Sequence, residues 1–249
     1  MLSRFMLFSA AVILCASAHA DVVQLQPVAD NTLYENATGA LSSGAGGAFF
    51  AGRNSGMTNS VRRGVIRFDL ASSIPAGSTI TGVELRLVES GNNMSPRQVN
   101  VHRLLQSWGE GASAAGGASG GGGGAPAEAN DATWLHRFFN SELWATPGGS
   151  FDPLSSASTL VEGPGAYTWL STLSLIADAQ SFLDSPATNF GWAVVGDESV
   201  PSTSKRFLSR EFSDESLRPL LTITYIPSPG AALPGMVLVG AAGRRRRRN

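Results

Sequence analysis

Apolar and polar positions alternate with a period of two along several short stretches of the chain. Val65, Ile66, Phe68 and Leu70 form one run, with Arg67 and Asp69 set between apolar positions. Val83-Glu84-Leu85-Arg86-Leu87, Val99-Asn100-Val101-His102 and Leu221-Thr222-Ile223-Thr224-Tyr225 alternate cleanly, and Phe190, Trp192 and Val194 make another such set. Successive side chains of a strand point to opposite faces, so this pattern predicts half-buried strands. Turn signals lie between them at Pro75-Ala76-Gly77-Ser78, Ser90-Gly91-Asn92-Asn93 and Ser95-Pro96. Short alternating strands joined by polar turns predict an all-β antiparallel sandwich.

Helical signals are few. Ser171 or Thr172 offers an N-cap, Leu173, Ile176, Ala177 and Leu183 offer one apolar face, and Pro186 closes the segment. A shorter helical turn is expected between Trp134 and Trp144. Glycines cluster at 39–56 and at 109–129, and the second stretch holds the unbroken run Gly120 to Gly124. Such a run is costly to order without contacts, so 109–129 is expected to be a mobile surface insertion.

The two ends change the picture from fold to location. Arg4, an apolar run from Phe5 to Cys15, and Ala18-His19-Ala20 before Asp21 have the order of a cleavable secretory signal over residues 1–20. At the other end, residues 227–249 carry Pro227-Ser228-Pro229, an apolar stretch from Ala231 to Ala242, and the cluster Arg244 to Arg248. This tail resembles the PEP-CTERM sorting signals of Gram-negative bacteria. The resemblance implies an exosortase-type processing enzyme as a partner. A helix through the apolar stretch rises only about 20 Å, against roughly 30 Å of hydrocarbon. That length suits a transient halt in the inner membrane, with the arginines inside and the preceding domain outside.

Export also resets the charge. The chain has 18 basic and 19 acidic residues; Arg4 and the five terminal arginines fall in the two ends, which hold no acid. Residues 21–226 therefore carry 12 basic and 19 acidic groups, a net charge of −7. This balance argues against nucleic acid as a partner. The one cysteine, Cys15, falls in the leader, so disulfides and thiolate metal sites are excluded from 21–226.

Several phrases then occur together. They are Ala29-Asp30-Asn31-Thr32-Leu33-Tyr34, Arg62-Arg63-Gly64-Val65-Ile66-Arg67-Phe68-Asp69-Leu70, Val101-His102-Arg103-Leu104 and Trp108-Gly109-Glu110-Gly111. Asp131-Ala132-Thr133-Trp134, Asn189-Phe190-Gly191-Trp192, Lys205 to Glu211 and Arg218 to Ile223 follow. In this order they resemble the DNRLRE domain proteins across nearly all of 21–226. The resemblance implies a jelly-roll-like antiparallel β-sandwich with one or two short helices. It also implies a secreted, non-catalytic module; some relatives bind acidic polysaccharides such as alginate.

The candidate chemistry follows. Arg62, Arg63, Arg67, Lys205, Arg206 and Arg210 lie near two strands and would form a cationic patch if those strands were neighbours. A guanidinium fork matches a uronate carboxylate with two parallel hydrogen bonds. Pairing with Asp69, Glu211 and Asp214 is the structural alternative. Trp108 and Trp134 flank the glycine-rich segment, where they would stack on sugar rings or pack in a core. Glu110 and Asp131 flank the same segment and offer a structural Ca²⁺ site; no other cofactor is expected. Gly117-Ala118-Ser119-Gly120-Gly121 matches a nucleophile elbow by letters alone, without the strand and helix that motif requires. His102 and His136 have no metal-ligand spacing. The expectation is thus a secreted, non-enzymatic cell-surface or matrix protein that binds extracellular polysaccharide. A biofilm or envelope component without a soluble ligand is the alternative, and a polysaccharide lyase or hydrolase the third reading.

Overall fold

The computed structural model describes residues 19–116 and 121–228. The leader's charged and apolar parts and the arginine-ended tail lie outside the described residues. In chain order the strands are β1 (Asp21–Leu25), β2 (Ala29–Tyr34), β3 (Leu41–Ser42), β4 (Ala48–Arg53), β5 (Val61–Arg67), β6 (Thr79–Glu89), β7 (Arg97–Arg103) and β8 (Ala125–Pro126). They continue as β9 (His136–Phe138), β10 (Glu142–Leu143), β11 (Ala157–Val161), β12 (Gly165–Trp169), β13 (Trp192–Val195), β14 (Lys205–Leu208) and β15 (Leu220–Ile226).

Their pairings are antiparallel and build two layers. In the first, β6 pairs β15 along Thr79–Arg86 and β12 along Leu85–Glu89, and β1 lies outside β15. The second runs β2-β5-β13-β7-β11. Strand β4 belongs to both: Ala48–Ala51 pair with β14, and Gly52 and Arg53 pair with β5. The change of partner falls at Gly52, whose φ is +112°. A Cβ there would sit 2.9 Å from the Thr203 carbonyl oxygen, so glycine answers both needs at the corner.

The predicted sandwich is therefore present, and the alternation explains it. Val83, Leu85 and Leu87 of β6 meet Ile66, Val99, Val101, Trp192 and Val194 of the second layer in one core. Phe207 lies between Phe49 and Trp169, with ring centroids 5.6 and 6.0 Å away. Truncating an aromatic of this kind costs roughly 3–5 kcal/mol.

The second layer is also covered on its outer face. Val65 and Ala193, whose neighbours Ile66 and Val194 point inward, enter another cluster with Leu33, Leu104, Trp108 and Trp144. Residues 104–108 and 132–151 supply this cover.

Three local expectations change. The helix, α1 (Leu173–Asp184), is capped by Thr172, whose hydroxyl accepts from the Leu175 N–H. Its buried face is Leu175, Ala179, Phe182 and Leu183, while Leu173 is 88% exposed. Phe182 sets this choice by packing on Trp192, with ring centroids 5.0 Å apart. Trp134–Trp144 is not helical: it holds the β9–β10 hairpin, with Asn140 at φ +58°. The stretch 39–56 is not merely a loop, because Ala48, Phe49, Phe50 and Ala51 bury as β4.

Candidate functional site

The arginine patch does not assemble as one group. Strand β4 lies between β14 and β5, so the two basic strands are not neighbours. The side-chain period of two then divides β5 itself. Arg62 points to one face, while Arg63, Val65 and Arg67 point to the covered outer face.

Most of these cations are committed internally. Arg62 donates to the carbonyls of Gly122 and Val61 and lies over the Tyr34 ring, 5.0 Å from its centroid. Burial pulls its pKa below the ordinary guanidinium value. Arg63 forks onto Glu198 at 2.7 and 2.9 Å and stacks over Trp134. Lys205 is fully buried, and its ammonium donates to the carbonyls of Asn93, Ser95 and Glu162. Burial lowers its pKa, against the attraction of Glu89. Arg206 donates to the Ser90 hydroxyl at 2.6 Å. Arg67 lies over the Trp108 ring, 5.7 Å from its centroid.

Arg210 sits among acids. It bridges Glu110 and Glu211, each at 2.9 Å, while its own backbone N–H donates to Asp30 at 2.7 Å. Two carboxylates thus share one guanidinium, and a third carboxyl takes the backbone N–H of the same residue. Asp30 is fully buried, and among the described residues its Oδ1 has no partner, nor does Oε2 of Glu211. Burial first, and then the charge of Glu211, pushes the Asp30 pKa well above the usual carboxylate range. Burial and Glu110 raise Glu211 likewise. Burial opposes the charge on Arg210, but Glu110 and Glu211 outweigh it and hold that guanidinium above its ordinary value.

The tryptophans are mostly core. Trp108 is 2% exposed and donates its indole N–H to the Phe190 carbonyl. Trp134 is half-buried beneath Arg63. Neither is an open sugar platform. Glu110 accepts from the Asp30 N–H, and Asp131 accepts from the Glu128 N–H at 2.7 Å. Among the described residues no group of three or more His, Cys, Asp or Glu is placed to hold a metal.

The glycine-rich segment also has contacts that its composition hid. The Tyr34 hydroxyl donates to the Gly121 carbonyl, Asn54 and Arg62 both donate to that of Gly122, and β8 pairs with β3. The described glycines thus form a tied wall rather than a free insertion.

That wall borders a groove. One part, a cleft of about 590 Å³, lies between Phe50, Arg62, Ser90, Asn92, Gly122 and Arg206. The adjoining part, about 630 Å³, runs past Arg53, Ser55, Met94 and Ser202. Asn54, Asn92, Asn93 and Ser204 line both. Lys205 fixes the near wall through the Asn93 and Ser95 carbonyls, and the Asn93 amide donates to the Ser202 carbonyl at 2.9 Å. The Ser204 hydroxyl is buried and has no partner among the described residues. Amides, hydroxyls and the arginines Arg53, Arg62 and Arg206 beside Phe50 can bond ring hydroxyls while an apolar surface meets C–H groups. Of the expected ligand residues, the structure brings Arg62 and Arg206 here. Asn92 and Asn93 had read only as a turn, and nothing in sequence spacing tied them to Asn54 or Ser204.

Comparison with protein-family models finds no match, and comparison with curated proteins finds none either.

Proposed function

We propose that this chain is an exported, non-catalytic surface or matrix protein that binds extracellular polysaccharide, acidic glycans included, along the amide-lined groove. The supporting observation is the continuity of the groove: two adjoining clefts share Asn54, Asn92, Asn93 and Ser204. Amides and hydroxyls beside the guanidiniums of Arg53, Arg62 and Arg206 match a polyhydroxylated chain, acidic glycans included. The leader-like and tail-like ends support export, and exosortase processing belongs to the same proposal.

Affinity electrophoresis in gels containing alginate, pectin or neutral glucans tests it. Retention is expected in at least one gel. Asn92→Ala removes an exposed amide that has no hydrogen bond among the described residues. It should weaken retention about fivefold, the worth of one hydrogen bond, without moving Tm. Unaltered migration in every gel would sink the proposal.

One observation favours a second reading. Among the described residues, the outer face of the second layer is covered by Leu104, Trp108, Ala132 and Trp144. A structural component of the biofilm or envelope needs no open face. Sedimentation into polymers without glycan retention would support that reading.

A further inference from the structure

A cleft of about 190 Å³ lies where the end of β7, the loop at 152–156 and the first half of α1 meet. Arg103, Asp152 and Asp178 all border it. Among the described residues no ion pair joins any of the three to another charged side chain. One base and two acids thus face a small space with their charges uncancelled.

Each of these side chains is held by one part and unspent at another. Arg103 donates through Nη2 to the Ser181 hydroxyl at 2.9 Å and lies over the Phe182 ring, 5.3 Å from its centroid. Its Nη1 has no hydrogen bond among the described residues. Asp178 accepts at Oδ2 from the Ser156 hydroxyl at 2.5 Å and from the Trp192 indole at 3.0 Å. Asp152 accepts at Oδ1 from the Leu154 N–H at 2.9 Å. Oδ1 of Asp178 and Oδ2 of Asp152 accept nothing from the described residues. Nε of Arg103 is sealed inside the protein, but these three unspent atoms keep access to solvent. The stacked ring and the indole bond make the arrangement rigid before any ligand arrives.

The geometry points to a binding site here for a free α-amino acid. Its carboxylate takes Nη1 of Arg103, and its ammonium, with three donors, takes the open oxygens of Asp152 and Asp178. Leu154 and Ala177 supply an apolar wall for a short side chain. A metal ion would answer the two acids and be repelled by the arginine. An inorganic anion would answer the arginine and be repelled by the acids. Only a ligand with both signs close together satisfies all three. Clefts that hold drug-sized molecules begin at about 300 Å³, so this one suits something smaller. It shares no lining residue with the groove and does not rest on the polysaccharide reading.

Calorimetry on the full chain with alanine and leucine tests it, beside the methyl ester and the N-acetyl form of each. At least one of the two amino acids is expected to bind. The ester lacks the carboxylate and the N-acetyl form lacks the ammonium, so each should bind at least about tenfold more weakly. Asp152→Asn keeps an acceptor for the Leu154 N–H and removes the charge, and should cost about tenfold in affinity. Arg103→Gln should cost about tenfold or more. Tm of each variant reports folding, and if Arg103→Gln lowers it, Asp152→Asn decides. Binding of neither amino acid, a blocked form that binds as well as its parent, or full affinity in Asp152→Asn with native Tm would overturn the site.

Discussion

Two regions bury charge and solve the problem in opposite ways. At Lys205 one cation meets three backbone carbonyls, so the number of donors matches the number of acceptors. At Asp30 three carboxyls gather on one arginine, two on its guanidinium and Asp30 on its backbone N–H, and among the described residues two of their oxygens are left without partners. The first region is neutral in its hydrogen bonding and serves as a clamp on the groove wall. The second gathers more carboxyls than cations, and burial raises the pKa values of Asp30 and Glu211. Burial alone therefore does not set the cost of a charge. The match between donors and acceptors does.

The comparison is most exposed at Lys205. Lys205→Met should destabilise by about 3–5 kcal/mol in urea unfolding, because three buried carbonyls lose their donor. A loss under about 1 kcal/mol would mean water or backbone movement replaces the ammonium. Arg210→Met comes next, at about 2 kcal/mol near neutral pH, since Glu110 and Glu211 lose their counter-charge. That loss should shrink on acidification as the carboxyls protonate.

Asp30→Asn is the finest test. Asp30 and Glu211 have raised pKa values in the fold, so the folded state holds protons more tightly than the unfolded chain. Their stabilising contribution is complete below the ordinary carboxylate range and is lost as pH rises through their raised folded values. An amide at position 30 can keep an acceptor for the Arg210 N–H without the charge. The variant should stay within about 1 kcal/mol of the parent in acid and overtake it as pH rises. Parallel pH–stability curves for parent and variant would show that Asp30 holds no proton in the fold.

Much of the architecture could be read before any coordinates. Period-two patterning found the core strands because Leu85, Val101, Val194 and Ile223 all obey one rule of alternation. It failed where local composition and tertiary packing disagree. Glycines at 39–56 masked β4, whose Phe49 packs on Phe207 of the neighbouring β14. The face of α1 turned on Phe182 meeting Trp192, a contact no helical period contains. The candidate site was legible residue by residue but not in its grouping. Arg62, Arg67, Arg206 and Arg210 were all singled out, yet strand order scattered them among a groove, the Trp108 ring and a carboxyl cluster. Asn54 and Asn93 carried no signal, because an amide becomes a binding group only by where its neighbours leave it.

Strand β4 has a consequence for how the molecule breathes. A single segment stitches one layer to the other, changing partners at Gly52. Neither layer can peel away along that margin while its companion keeps all its ladder bonds. Amide protons of residues 48–53 should consequently exchange with solvent only when the whole sandwich opens, and rank among the slowest in the chain.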